Sequence, residues 1–453
     1  MTSLLASNLP LELLERHGHA PLSCGSAPSP FIGDNTFSDA EYRNVLTELH
    51  QRPEEALAIY VHVPFCHVRC LYCACDTTVT HSLEKVDRYL DALENELSLV
   101  TDSIGRGRLV NQLHVGGGTP NHLNEPQLAR LVEIIERYFC IAPDACTSIE
   151  CNPRRSSAGQ LELLYGLGFR RISFGVQDLN ADVQRAIGRV QSLDMVRDVF
   201  LTARETGFHS INLDLVYGLP FQTRQGFQST LQHILALSPD RVACFSYTHD
   251  PATRPHQHAI NTDHLPSAAE KLALFHDAVH AFTEAGYRWV GLDVFVRETD
   301  ELANAQTEGR LHHNAIGYTP LPSKQVLAFG PSGIGEVGGV LVQNEPDLKT
   351  WQTRLDHYQL PVAWGRRLSD TDRRRREAIL SLMCNLQLPA NVAADLAQDY
   401  DRLREHIAQG LVEMSADGIR VTDEGRYLLR HLCAEQDAFL ELDTAQRRLG
   451  SSR

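Results

Sequence analysis

The stretch YVHVPFCHVRCLYCACD, Tyr60 to Asp76, places Cys66, Cys70, Cys73 and Cys75 straight after an apolar, β-rich run that ends in Pro64. The chain has 11 cysteines, and the other seven (Cys24, Cys140, Cys146, Cys151, Cys244, Cys384 and Cys433) are scattered singly. An odd count so distributed is not a disulfide framework. The spacing C-x3-C-x2-C also differs from structural zinc sites, which bring together two closely spaced pairs from separate hairpins, and the sequence has no second pair. Cubane iron-sulfur clusters normally take four thiolates. Three on one loop can hold three irons of a [4Fe-4S] cluster and leave the fourth iron open to an exogenous ligand.

The position of that loop follows from the segments after it. From about residue 57, β-rich runs alternate with helical patterns. LAIYVHV precedes Lys85–Leu99, RLVNQLHVGGG precedes Gln127–Tyr138, and TSIECNP precedes Gly159–Tyr165. RRISFGVQ precedes Val183–Ile187 and Leu193–Thr206, SINLDLVYGLP precedes Phe227–Leu237, and DRVACFSY precedes Ala268–Glu284. Six βα units in succession predict a parallel sheet with right-handed crossovers, an α/β fold curled into a partial (β/α)6 barrel over residues 55–300. A helical N-terminal segment, 1–54, precedes it. Ligand sites in such folds lie at the carboxyl ends of the strands. Cys66, Gly116 to Thr119, Glu150, Gln177, Asp214, Tyr247 and His249 stand there, so one pocket is expected to collect them.

Residues 301–364 include the glycine-rich VLAFGPSGIGEVGG, expected to close one side of the barrel. From 365 to 453 the pattern changes to helices around a hairpin turning at Asp417-Gly418, a winged-helix-like C-terminal domain. The net charge of −15 argues against a nucleic-acid surface. The run Arg373 to Arg376 heads a capped amphipathic helix and reads as a solvated face. No segment approaches the roughly 18 apolar residues of a membrane span. The N-terminus has no basic n-region, and Glu12 and Glu15 interrupt its apolar residues. A cytoplasmic monomer is expected.

With Tyr72 one residue before Cys73, and GGGTP after the next strand, the sequence resembles the radical S-adenosylmethionine (SAM) superfamily. Over about residues 55–440 it resembles the oxygen-independent coproporphyrinogen III oxidase subgroup. The motifs that carry this are CACD, LHVGGGTP, SIECNPR, SFGVQDLN, AIGRVQ, INLDLVYGLP, DELANAQTEGRLHHN and RREAILSLMCNLQL. The resemblance implies a [4Fe-4S] cluster on Cys66, Cys70 and Cys73. Cys75 matches the subgroup's non-ligating cysteine, where the related heme chaperones typically have an aromatic residue. An electron delivered through the cluster, from a donor such as flavodoxin or ferredoxin, would cleave bound SAM to methionine and a 5'-deoxyadenosyl radical.

Further roles are implied residue by residue. Tyr60 and Tyr72 match SAM-packing aromatics, and Gly117, Gly118 and Thr119 match the strand end that admits the methionine moiety. Glu150 would take ribose hydroxyls or a cationic end of the ligand. Gln177, Arg189 and Asp214 match residues that hold a second SAM molecule, and Thr248 and Ile334 match further SAM contacts.

Three departures fall on the substrate side. SCGSAPSPFIGD replaces an RYTSYPT-like segment, Val294 replaces the histidine of a GMDHFA-like strand end, and Ala315 and Ile316 replace an aromatic and an amide in an HRNFQGYT-like loop. The resemblance therefore implies oxidative decarboxylation of coproporphyrinogen III, with two alternatives. One is a paralogue that transfers a methyl or methylene group from the second SAM to an aromatic metabolite; the other is a heme chaperone. For a porphyrinogen, Arg297, His312, His313 and Asn314 are the expected polar partners.

Overall fold

The computed structural model describes residues 37–321, 323, 325–395 and 400–434; the SCGSAPSPFIGD stretch lies outside them. The strands in chain order are β1 (Leu57–Val63), β2 (Arg108–Gly117), β3 (Phe139–Cys151), β4 (Arg171–Gln177), β5 (Ser210–Tyr217), β6 (Arg241–Ser246), β7 (Tyr287–Trp289) and β8 (Val294–Arg297). They continue with β9 (His312–Asn314), β10 (Gly317–Thr319), β11 (Val326–Phe329), β12 (Ile334–Val337), β13 (Val340–Asn344), β14 (Val362–Arg367), β15 (Gln387–Pro389), β16 (Val412–Ser415) and β17 (Gly418–Val421). Among the helices, α1 is Asp39–His50, α2 Leu83–Ile104, α3 Glu125–Tyr138, α4 Ala158–Gly166, α5 Ala181–Ala186, α6 Leu193–Thr206, α7 Arg224–Leu237 and α8 Ala268–Glu284.

Strands β1 to β6 pair in parallel, in chain order, as six βα units require. The sheet remains open, and both edges are extended. On the β1 side, β11 adds a seventh parallel strand, followed by antiparallel β12, β13 and β14. On the β6 side, the chain passes through α8 to reach β7 at the outer edge and returns by a short turn as β8, which pairs antiparallel with both β6 and β7. The glycine-rich segment therefore widens the edge beside β1. Strand β3 starts at Phe139, eight residues before the predicted TSIECNP run, with a register shift against β2 between Val110 and Gln112.

The outer face of this sheet is apolar because helices cover it. Helix α2 presents Val86, Tyr89, Leu90, Leu93, Leu97, Val100 and Ile104 inward, the three- and four-residue spacing of one helical face. The Ser82 hydroxyl caps it by accepting from Lys85 N at 3.1 Å. Strand β4 buries Ile172, Phe174 and Val176, and β5 buries Ile211, Leu213 and Leu215, on the helix side.

The C-terminal region has its own core. Helix Asp370–Asn385 contributes Ile379, Leu382 and Met383 to a cluster that also holds Val290, Leu292 and Leu302. A three-stranded antiparallel sheet, β15-β17-β16, joins it. The hairpin turns at Ala416-Asp417, and Gly418 opens the return strand. A Cβ at Gly418 would lie 2.1 Å from Leu388 O. The arginine run is partly engaged: Arg376 bonds Glu336 Oε2 at 2.5 Å and Arg373 donates to Leu368 O at 2.7 Å. Among the described residues no helix is long and apolar enough to cross a membrane.

Candidate active site

The inner face of the same strands is polar. Gln112 and His114 of β2, Ser148 and Glu150 of β3, Arg171, Ser173, Gly175 and Gln177 of β4, Asn212 and Asp214 of β5, and Arg241 of β6 line a cavity of about 700 Å³. Alternation with period two puts every second side chain on this wall. The cavity also meets Cys66, Cys70, Tyr72, Cys73, Cys75, Gly117, Gly118, Thr119, Arg189, Tyr247 and Thr248, so most residues expected at the strand ends share one space. His249 and Gly116 are not among the described residues that line it, nor are Tyr60 and Ile334. The Tyr60 hydroxyl bonds His62 Nδ1 at 2.9 Å, and its ring stacks on His114, with centroids 5.8 Å apart. Ile334 begins β12.

The cysteine loop is packed from several sides. Cys66 and Cys70 are buried, and Cys66 Sγ lies 3.3 Å from Thr119 Oγ1. The Cys75 backbone N–H donates to Cys73 Sγ at 3.4 Å. With the Cys75 thiol it holds the Cys73 thiol down at about 7. Arg189 Nη1 reaches Cys70 Sγ at 3.6 Å, and the Arg154 guanidinium lies within electrostatic range of Cys70. From the loop after β6, His256 Nε2 bonds Cys73 O at 2.7 Å, Gln257 donates to Tyr72 O at 3.2 Å, and Arg254 pairs with Asp76 at 2.5 Å.

The glycines next to this loop make room that a side chain would fill. A Cβ at Gly118 would stand 2.9 Å from Phe65 O and 3.1 Å from Cys66 Sγ, and one at Gly175 would stand 2.6 Å from Gln177 Nε2 and 2.9 Å from Arg189 Nη2. Gln177 has φ +69°, a left-handed conformation that non-glycine residues rarely hold, at the point where the β4–β5 register shifts. Arg189 is 8% exposed, donates to Gly175 O at 2.6 Å, and has a buried Nε with no partner.

Two carboxylates face this space with opposite shifts. Burial pushes Glu150 up, but the bond from His114 Nε2 at 3.2 Å, the His114 charge and the Gly117 N–H at 3.3 Å outweigh it and hold the group below its ordinary range. Burial and the nearby Glu150 raise Asp214 to about 7, against donors from Asn212 at 2.6 Å and Ser173 at 3.0 Å.

At the far end, Arg297 is turned away: it donates to Ser238 O at 2.7 Å and Pro239 O at 3.1 Å. Of the four polar partners expected there, His313 lines the cavity, with the apolar Val294 and Ile316. The cations at that end are Arg171, Arg241 and Arg430. Arg241 forks onto Asp300 at 2.8 and 2.9 Å, Arg171 pairs with Glu301, and Arg430 pairs with Asp293 at 2.5 Å. Sequence reading missed these arginines, although the period-two alternation in RISFGVQ and SINLDLVY points to an inner polar wall. Nothing in the sequence marks Arg254, His256 or Gln257.

The donor set fits an iron-sulfur cluster. Among the described residues no three His, Cys, Asp or Glu groups converge as around a single metal ion. A cubane takes each thiolate on a different iron, so its ligands stand further apart. Two arginines beside Cys70 suit the negative charge of a thiolate-bound cluster, and Arg189 also lines the cavity.

The chain matches the family model described as the Radical SAM superfamily over residues 60–234 and the HemN C-terminal domain over 368–428. It is 38% identical over 443 residues to the oxygen-independent coproporphyrinogen III oxidase of Salmonella typhimurium, covering 95% of each chain. It is 37% identical over 402 residues to that of Pseudomonas aeruginosa, covering 86% of this chain and 87% of the relative. Its fold is similar to the solved structure of coproporphyrinogen III oxidase (HemN) from Escherichia coli, a radical SAM enzyme, with a TM-score of 0.89 and 37% identity over 95% of this chain and 98% of that one.

Proposed function

This chain belongs to the oxygen-independent coproporphyrinogen III oxidase family of radical SAM enzymes, and on that premise we propose that it oxidatively decarboxylates two propionates of coproporphyrinogen III to vinyl groups, giving protoporphyrinogen IX in heme biosynthesis. The observation that carries this reading is a single cavity, with the three-cysteine loop at one end and Arg171, Arg241 and Arg430 at the other. Propionates of a porphyrinogen would meet there arginines that already pair with Asp300, Glu301 and Asp293, and would join those ion-pair networks.

A [4Fe-4S] cluster and SAM supply the hydrogen-abstracting radical chemistry. In our reading Cys66, Cys70 and Cys73 are the ligands. Tyr60, Tyr72, Gly117, Gly118, Thr119, Glu150, Thr248 and Ile334 serve the first SAM, and Gln177, Arg189 and Asp214 hold a second. The left-handed Gln177, the Arg189 side chain on the cavity wall and the tight contacts at Gly175 support a ligand there. The electron donor, the monomeric state, a cytoplasmic location, and division at residues 54, 300 and 364 belong to the same proposal. The matched ranges 60–234 and 368–428 are consistent with that division.

A second reading, methyl or methylene transfer by a paralogue, draws on Val294 and Ile316, which place apolar groups on the substrate wall. An anaerobic assay with coproporphyrinogen III, SAM and a reductant separates the two. Protoporphyrinogen with two CO2 released is the expected result. SAM cleaved to 5'-deoxyadenosine and S-adenosylhomocysteine with no porphyrin product would replace the first reading with the second.

A further inference from the structure

Gln177 reaches the cavity wall by way of a turn at the end of β4. Asp178 N donates to Val176 O at 2.9 Å around Gln177, whose φ is +69°. A bond from the third residue back to the first, around a residue of positive φ, is the rarer hand of γ-turn. At a non-glycine residue such a turn persists only where its surroundings hold it. It coincides with the shift in the β4–β5 register, and the Gln177 side chain lines the cavity.

Two glutamines that do not belong to the cavity wall hold this turn at both ends. Gln191, 2% exposed, donates from Nε2 to Val176 O at 2.6 Å and to Gly175 O at 3.2 Å. Its backbone N–H donates to Gln184 Oε1 at 3.1 Å. Gln184, on α5, donates from Nε2 to Gln191 O at 2.8 Å and to Asp178 O at 2.9 Å. Beyond the turn, the Asp178 carboxylate accepts from Asn180 N at 2.6 Å, Gln222 at 2.6 Å and Thr230 at 3.0 Å. Arg189 and Gln191 both donate to Gly175 O, while Val190 between them is 63% exposed. Neither Gln184 nor Gln191 is among the described residues that line the cavity.

We propose that Gln191, braced by Gln184, is a positioning residue for the second SAM site: it holds the turn that aims Gln177 at the ligand. The inference rests on the reading of Gln177 as a contact of that second SAM. Gln191 acts through its amide N–H groups, because its Oε1 is buried with no partner. The flipped amide would set that oxygen against two carbonyl oxygens, so its orientation is fixed. Methionine keeps the length and volume of this side chain and removes both bonds. Val176 O keeps Asp178 N and Gly175 O keeps Arg189 Nη2, so neither carbonyl loses its last donor and Gln191→Met is expected to fold.

The test is equilibrium dialysis of labelled SAM against the anaerobically reconstituted full chain, with iron counted on every sample. The parent, Gln191→Met, Gln177→Ala and the double variant are compared. Gln191→Met is expected to weaken the second site at least about five-fold and to leave the first site and the iron content within about two-fold of the parent. In the double variant the two losses should not add, because Gln177→Ala has already removed the side chain that Gln191 aims. A residue that merely supported the fold would add its own loss. Gln184→Met withdraws the brace and should weaken the second site in the same direction. A second site within about two-fold of the parent in Gln191→Met, or in Gln184→Met where the first variant does not fold, overturns the positioning role. So do additive losses in the double variant, or equal weakening of the first site. A parent that binds one SAM, or a Gln177→Ala chain that keeps its second site, overturns the reading of Gln177 and the proposal with it. A parent with two sites, one of them lost in Gln177→Ala, beside an unchanged Gln191→Met overturns the proposal alone.

Discussion

Replacing Gly118 by alanine presses on the cluster loop from a side where the neighbours are backbone. The new Cβ would lie 2.9 Å from Phe65 O and 3.1 Å from both Pro64 C and Cys66 Sγ. Ordinary contact begins near 3.4 Å, so the loop or the strand end must move by about half an ångström, the tolerance within which a functional constellation must be held. Two of the three atoms are main chain and cannot swing aside as a side chain would. Overpacking of this kind costs about 1–3 kcal/mol. The apo protein should therefore melt a few degrees lower, and the reconstituted variant should hold well under the roughly four irons of a cubane. Gly166→Ala is the matched control, because an added Cβ there meets nothing within 4 Å at the end of α4. It should leave iron content unchanged and the melting point equal or slightly higher. The measurements are iron per chain, electron paramagnetic resonance of the reduced protein, and thermal melts of the apo form. A Gly118→Ala protein with a full cluster and the parent's spectrum would refute the reasoning.

Three further outcomes follow from the same geometry. Cys70→Ser should abolish the cluster while Cys75→Ser retains it, because Cys75 touches Cys73 but lies outside the ligand set; the reverse pattern in iron counts would show the ligands misassigned. Arg189→Met removes a charged donor to Gly175 O, worth about 1.5–3 kcal/mol, so SAM stoichiometry should fall from about two to about one, and equilibrium dialysis giving two tight sites would contradict the second-site assignment. Asp214 is raised to about 7, above the roughly 3.9 of an unfolded chain. Its contribution to stability is therefore full below the unfolded value and lost as pH rises through about 7. After discounting for partial exposure that loss is on the order of 2 kcal/mol. Asp214→Asn should flatten this part of the stability profile of the apo protein, and identical slopes in denaturant melts between pH 5 and 8 would exclude Asp214 as the source.

Much of the fold was legible because apolar runs and capped helices alternate with a regular period. α6 and α8 fall at the predicted residues, since Ser192 and Ser267 mark their starts. The antiparallel edges were not legible: β7, β8 and β12 are three or four residues long, too short to show a period. The cysteine loop and the strand-end carboxylates and amides could be read because each stands where a strand pattern stops. Arg297 misled because β8 pairs antiparallel, and its side chain turns back onto Ser238. His256 and Gln257 could not be found at all. Their contacts with the cysteine loop span 183 and 185 residues and depend on how an irregular segment folds over the strand ends.

The period-two division of the barrel strands separates two demands on one sequence. Residues that face the helices hold the sheet together. Those that face the cavity make few apolar contacts, so changing them removes little of the burial on which stability depends. Substrate preference can therefore drift through the inner positions while the fold remains intact, and a large family can vary its chemistry without first acquiring a more stable scaffold.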